Sequence, residues 1–207
     1  MPKIVPAILE KDLASIKAKV KLVKPYVDLI QLDVMDGEFV PNVTYNDPEG
    51  IAELGVKVEP HLMVMHPEFC IAKWNLPNVE TIFVHIEAAT NLAEIIRLIK
   101  AAGKRVGVAI NPTTSTYDLD DYLTQIDCVM VMGVSPGFSG QGFQYDALEK
   151  IKHFKKIRPE LLIAVDGGVN FDTKDQILAA GADILAVNSV LFAHPEQIKE
   201  NLEKLKS

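Results

Sequence analysis

The chain has 207 residues, 48% of them hydrophobic and 24% charged, which is enough to bury a substantial core within one domain spanning 1–207. Its formal net charge of -7 disfavours nucleic acid and anionic membrane as partners, since both would repel such a surface, and an anionic ligand would need local donors. No run reaches the roughly 20 apolar residues that cross a bilayer. The chain enters KIVPAIL almost at once, and its two cysteines, Cys70 and Cys128, stand far apart, so the expectation is a soluble, cytoplasmic protein with no leader, disulfide or CxxC metal knuckle.

From the amino terminus onward, short β-branched runs alternate with longer amphipathic segments, the pattern of repeated βα units. A strand at 3–9 precedes a helix at 11–24, where Leu13, Ile16, Val20 and Val23 recur at spacings of three and four. Strands at 27–33, 57–63 and 80–85 follow, separated by short helical segments near 48–54 and 67–74. The helix at 91–104 carries Leu92, Ile95, Ile96, Leu98 and Ile99 ahead of Gly103, which suits a left-handed stop. Strands at 105–110 and 127–133 flank a short segment near 116–123, and the helix 146–157 leads to the strand 161–166. The helix 173–183 has Thr173 as its expected N-cap and Gly181 as its stop, before the strand 183–188 and the final helix 195–206.

Eight strands are the number that closes an α/β barrel, so the predicted fold is a (β/α)8 TIM barrel. An open doubly wound sheet is the competing arrangement, but no G-x-G-x-x-G follows the first strand.

Side chains alternate faces along a strand, which groups Gln31 with Asp33, Glu59 with His61 and Met63, Phe83 with His85 and Glu87, and Leu162 with Ala164 and Asp166. In a closed barrel these groups meet at one mouth. Singly, each has an ordinary reading: Asp36 and Asp166 precede glycine as turn residues do, a histidine in an apolar strand is commonly structural, and Glu59 and Glu87 suit rim ion pairs. Together, several carboxylates buried near one another need a cation or a shared proton. Asp33, His61 and Asp166 offer oxygen and nitrogen to a divalent ion, with His85 as a further ligand or a partner behind it. Zn²⁺ is the first choice, and Mn²⁺, Fe²⁺ and Co²⁺ use similar sets.

The loop SPGFSGQGF at 135–143 has glycines at 137, 140 and 142 that let its backbone approach a ligand, with Phe138 as a cover. Gly167-Gly168 and Asn188-Ser189 follow the last two strands, where barrels place backbone donors for phosphate. Met35, Met63, Met130 and Met132 lie near strand ends, as core fillers or as a lining that excludes water.

The segments PAIL at 6–9, LDVMDGEFVPNVT at 32–44, HLMV at 61–64, VHIEA at 84–88, NPTT at 111–114, PGFSGQGF at 136–143, VDGGVN at 165–170 and NSVLF at 188–192 together resemble the ribulose-phosphate 3-epimerase family over nearly the whole chain. The resemblance implies a (β/α)8 isomerase that inverts C3 of a ketopentose 5-phosphate, here D-ribulose 5-phosphate to D-xylulose 5-phosphate, through a cis-enediolate. It implies Asp33 and Asp166 as the acid/base pair, and a divalent metal held by Asp33, His61, Asp166 and Gln31, the last through its amide oxygen. It also implies a phosphate site at Gly137, Phe138, Ser139, Gly140, Gly167, Gly168, Asn188 and Ser189, a pocket lined by Ala7, Met35, Met63, His85, Met132 and Ser135, and a possible homo-oligomer.

The departures cluster at that pocket: Gln31 stands where the family has histidine, Ala7 where it has serine, Gly133-Val134-Ser135 where it has Thr-Val-Asn, and Asn188-Ser189 where it has Gly-Ser. They admit two alternatives, an epimerase or isomerase of another ketose phosphate such as allulose 6-phosphate, or a non-catalytic phosphosugar-binding homologue.

Overall fold

The computed structural model describes residues 1–207 as eight parallel strands closed into a barrel in the order β1 to β8. The strands are β1 (Lys3–Ile8), β2 (Leu29–Met35), β3 (Lys57–Met63), β4 (Thr81–His85), β5 (Arg105–Ile110), β6 (Cys128–Met132), β7 (Leu162–Asp166) and β8 (Ile184–Val187). Pairing of Lys3 with Ile184 and of Ala7 with Gln31 joins β1 to both β8 and β2, so no edge remains. The open doubly wound sheet is thereby excluded.

Alternation along each strand separates two apolar sets. Ile30, Leu32, Val34, Val58, Leu62, Val129, Val131, Ile163 and Val165 face outward into a core of 47 buried residues shared with the helices. Val5, Leu29, Phe83, Ala109, Cys128, Met130, Met132, Ala164 and Ile184 fill the interior as a second cluster. Gly107 belongs to that interior because a Cβ there would lie 2.2 Å from the Phe83 ring.

The outer layer is built from α1 (Leu13–Val23), α2 (Leu92–Ala101), α3 (Asp146–Ile157), α4 (Lys174–Ala180), α5 (Ser189–Phe192) and α6 (Ile198–Lys206). Asp12 caps α1 by accepting from Ser15 N at 2.8 Å, and Asn91 caps α2 by accepting from Glu94 N at 3.1 Å. Gly103 and Gly181 take left-handed φ of 71° and 114° at helix ends, as their positions predict. No helix is long and apolar enough to cross a membrane.

Five local expectations are corrected. Residues 48–54 form turns rather than a helix, because Gly50 sits at a left-handed φ of 76° just after Pro48. The segments near 67–74 and 116–123 contribute only 3₁₀ turns, Pro67–Phe69 and Thr116–Tyr122. Thr173 stands at the N-cap position of α4 as expected but makes no side-chain capping bond: its Oγ1 donates to the Gly168 carbonyl at 2.9 Å instead, tying the helix start to the loop after β7. The segment expected as a helix at 195–206 opens with a 3₁₀ turn at Pro195–Gln197, and α5 precedes it as a separate turn of helix.

Candidate active site

Parallel strands in a closed barrel carry their carboxyl ends to one face. There β2 presents Gln31 and Asp33, β3 presents His61, and β7 presents Asp166. One ligand atom from each of Asp33, His61 and Asp166 lies within 4.8 Å of the others. The strand register sets this up, with Asp33 opposite His61 across β2 and β3.

His61 is fully buried, and its Nδ1 lies 3.2 Å from Asp33 Oδ1 and 3.3 Å from Asp166 Oδ2. Burial opposes a charge on this ring, but the hydrogen bonds to Asp166 and Asp33 and their negative charges prevail, pushing it up to about 9. Burial and the neighbouring Asp166 push the Asp33 carboxyl up, against the lowering pull of His61 and Gln31. Behind His61, His85 is also fully buried, and burial drives it down into the neutral form. His85 is thus outside the ligand cluster, touching it only through His61.

Gln31 is 2% exposed and turns its amide nitrogen inward, 2.8 Å from Asp33 Oδ1 and 2.7 Å from Asp166 Oδ2. Two carboxylates and one imidazole converge here, a donor set of the kind that holds a divalent ion. The NH₂ group of Gln31 is a pure donor and adds no ligand in this orientation.

The backbone beneath is fixed by a residue that strand periodicity does not mark. Thr44 Oγ1 accepts from Met35 N at 2.8 Å and donates to the Asp33 carbonyl at 2.7 Å, satisfying the end of β2. Its only trace in the sequence is its place at the end of LDVMDGEFVPNVT. Asp36 serves as a turn residue, accepting from Glu38 N, Phe39 N and Met65 N.

A cleft opens above the cluster. Its walls include Asp33, Met35, Met63, Met132, Gly137, Phe138, Ser139, Gly140, Asp166, Gly167, Gly168, Asn188 and Ser189. Leu9, Val134, Pro136, Gln141, Val169 and Ala186 also line it and were not foreseen. Of these, Gln141 braces the loop by donating from Nε2 to the carbonyls of Ser135 (2.7 Å) and Phe138 (2.8 Å), while Asn42 Nδ2 holds the Gly137 carbonyl at 2.8 Å. Ala7 is buried off the cleft wall, its carbonyl accepting from Asn188 Nδ2 at 2.9 Å, and Ser135 is exposed to solvent at the start of the loop, outside the cleft wall. Gly133 has no space for a side chain, because a Cβ there would come within 2.3 Å of the Gly167 carbonyl and 2.6 Å of the Phe143 ring.

Residues 3–192 match the sequence profile of the ribulose-phosphate 3 epimerase family. The chain belongs to the ribulose-phosphate 3-epimerase family. It is 36% identical to the ribulose-phosphate 3-epimerase of Bacillus subtilis (strain 168), over 96% of each chain. It is 34% identical to that of Aquifex aeolicus (strain VF5), over 100% of this chain and 96% of the relative. Among solved structures, the tryptophan synthase alpha-subunit of Pyrococcus furiosus superposes with a TM-score of 0.75 at 15% identity, covering 99% of this chain and 97% of that one. 3-Hexulose-6-phosphate synthase superposes at 0.68 and 16% identity, covering 100% and 98%. At such identities the likeness is one of fold. Membership in the epimerase family, joined to the buried Asp/His/Asp cluster, makes the chain an epimerase-like isomerase with a potential divalent-metal site.

Proposed function

We propose that this chain epimerises D-ribulose 5-phosphate at C3 to give D-xylulose 5-phosphate. The observation that carries the reading is the convergence of Asp33 and Asp166, from strands at opposite ends of the sequence, on one cleft in a chain of this family. One of the two, as the carboxylate, removes the proton beside the ketone, leaving a cis-enediolate, and the other, as the carboxylic acid, gives its own proton to the opposite face. The Asp33 carboxyl, raised by burial and by Asp166 beside it, suits a group that both takes and gives a proton.

Gly167, Gly168, Asn188 and Ser189, with Gly137, Phe138, Ser139 and Gly140 above them, form the end of the cleft suited to phosphate, where backbone amides bind an anion without a basic surface. Met35, Met63 and Met132 supply an apolar wall that excludes water from the intermediate. A divalent ion held by Asp33, His61 and Asp166, with zinc the first choice among zinc, manganese, iron and cobalt, would supply positive charge to the developing oxyanion. The same reading treats 1–207 as one barrel domain acting on a small sugar phosphate in the cytoplasm.

A second reading, a ketose phosphate of different length such as allulose 6-phosphate, is favoured by Asn188, which lines the cleft wall and is fixed there by donating Nδ2 to the Ala7 main-chain carbonyl.

The test is turnover by purified protein on both sugars. It should equilibrate ribulose and xylulose 5-phosphates, and Asp33→Asn and Asp166→Asn should each lose about 10²–10⁴-fold in kcat while keeping the parent's circular dichroism. A large preference for six-carbon substrates would replace the first reading with the second. Absence of turnover and of proton exchange at C3 with every sugar phosphate tried would leave a binding protein.

A further inference from the structure

Gln31 Nε2 lies 2.8 Å from Asp33 Oδ1, 2.7 Å from Asp166 Oδ2 and 3.4 Å from His61 Nδ1. Those three atoms belong to the side chains that form the cation cluster. The amide nitrogen therefore sits among all three ligand atoms, in the place an ion bound by them would take. Its two hydrogens diverge, and each meets one carboxylate. A nitrogen is the end of the carboxamide that this environment favours, since an oxygen there would face acceptor oxygens of two carboxyl groups.

We propose that Gln31 takes over the bridging task of a metal: its NH₂ cross-links Asp33 and Asp166, so that the chain holds its two carboxylates in register without an ion and binds divalent cations weakly. The part of this that concerns catalysis rests on the reading of Asp33 and Asp166 as the proton-transfer pair; the part that concerns cation affinity does not.

Two carboxylates facing one cavity repel each other, and something must offset that repulsion for both to stay pointed inward. A cation does so through charge. The carboxamide does so through two hydrogen bonds to charged acceptors, each stronger than a neutral pair. An ion entering this position would have to break both bonds and rotate a side chain that is 2% exposed, packed between β1 and β3 by its register with Ala7 and Glu59. Gln31 is accordingly a positioning residue: it acts on the two acids and competes with metal for them. An imidazole at the same place would present a lone pair to an ion and add a fourth ligand.

The measurement compares the unaltered chain with Gln31→His. Each is dialysed against EDTA and then bare buffer; metal content is read by mass spectrometry, Zn²⁺ affinity by competition with a chromophoric chelator, and thermal midpoint with and without Zn²⁺. The unaltered chain should emerge with well under one metal per chain, and its thermal midpoint should be unaffected by EDTA. Gln31→His should bind Zn²⁺ about 100-fold more tightly and gain thermal stability from it.

Retention of one divalent ion per unaltered chain after EDTA, or a Zn²⁺ affinity equal to that of Gln31→His, overturns the proposal. If Gln31→His does not fold, the side-chain amide resonances of Gln31 in the unaltered chain decide. Protons protected from exchange and unmoved by equimolar Zn²⁺ support the cross-link, and their displacement by Zn²⁺ overturns it. Absence of turnover in every preparation would remove the catalytic reading while the affinity ranking still judged Gln31.

Discussion

His61 Nε2 and His85 Nε2 lie 2.8 Å apart, with the two rings nearly stacked at a centroid distance of 5.0 Å and an angle of 21°. One hydrogen occupies that gap, and the other side of His85 decides who owns it. His85 Nδ1 faces Glu87 Oε2 at 3.2 Å, and Glu87 is itself held by Asn111 N at 2.7 Å and by Thr114 Oγ1. A neutral His85 gives its Nδ1 hydrogen to Glu87 and accepts at Nε2, so His61 carries a hydrogen on Nε2 and turns Nδ1 to the carboxylates.

Replacing His85 with Phe strands the His61 Nε2–H in a dry site. The expected cost is about 1–3 kcal/mol in urea denaturation and about 10–100-fold in turnover. Glu87→Gln, whose amide oxygen still accepts from Nδ1, should cost less in both. Parent-like stability in His85→Phe would show that the two rings do not share a hydrogen.

Thr44 ties the chain after the β2 end back to Asp33 and Met35. Thr44→Val leaves Met35 N–H and the Asp33 carbonyl buried without that partner, at about 1–3 kcal/mol for each group. Thr44→Ser should restore both the denaturation midpoint and turnover. A valine variant indistinguishable from the serine one would remove the hydroxyl from the account.

At the other end of the barrel, Glu59 is 7% exposed, near the start of β3. Burial holds its carboxyl above the ordinary value, over the opposing pull of Thr81, Lys3 and Arg105. The penalty for ionising it is absent below the unfolded pKa and complete above the raised folded one, so its contribution to stability is lost as pH rises through that interval. Glu59→Gln should therefore melt higher than the parent at neutral pH, and the difference should vanish near pH 4. Equal melting temperatures at neutral pH would mean that Lys3 and Arg105 fully compensate the charge.

Gly168 has φ of 71°, and a Cβ there would come within 2.6 Å of Phe143 Cα and 2.8 Å of Phe143 N. Gly168→Ala should cost about 1–3 kcal/mol and raise KM for the sugar phosphate, because the shift displaces backbone at the phosphate end of the cleft. Gly142→Ala, with nothing within 4 Å of its Cβ, is the control for stability and should unfold with the parent.

The strands were legible because each combines β-branched residues with strict alternation, and a slip of one residue would have put Asp33 or His61 among the helices. The glycine stops at Gly103 and Gly181 were legible for a related reason, since left-handed backbone favours one residue type. Helix length between strands was less so. Pro48 and Gly50 outweigh a weak apolar pattern at 48–54, and Thr173 spends its hydroxyl on Gly168 rather than on its own helix. The cleft residues Leu9, Val134 and Ala186 are ordinary apolar residues whose role comes from what the barrel sets opposite them.

The sequence by itself determined the eight-strand rhythm, the face on which Gln31, Asp33, His61, His85 and Asp166 lie, and membership in an epimerase family, because periodicity and local motifs are properties of neighbours along the chain. Only the tertiary structure decided that the amide nitrogen of Gln31 lies among the two acids and His61, that His61 and His85 meet Nε2 to Nε2, and that Thr44 anchors the end of β2. Those relationships depend on directions and distances of a few ångströms between residues far apart in the chain, and closure of the barrel is what brings them within reach.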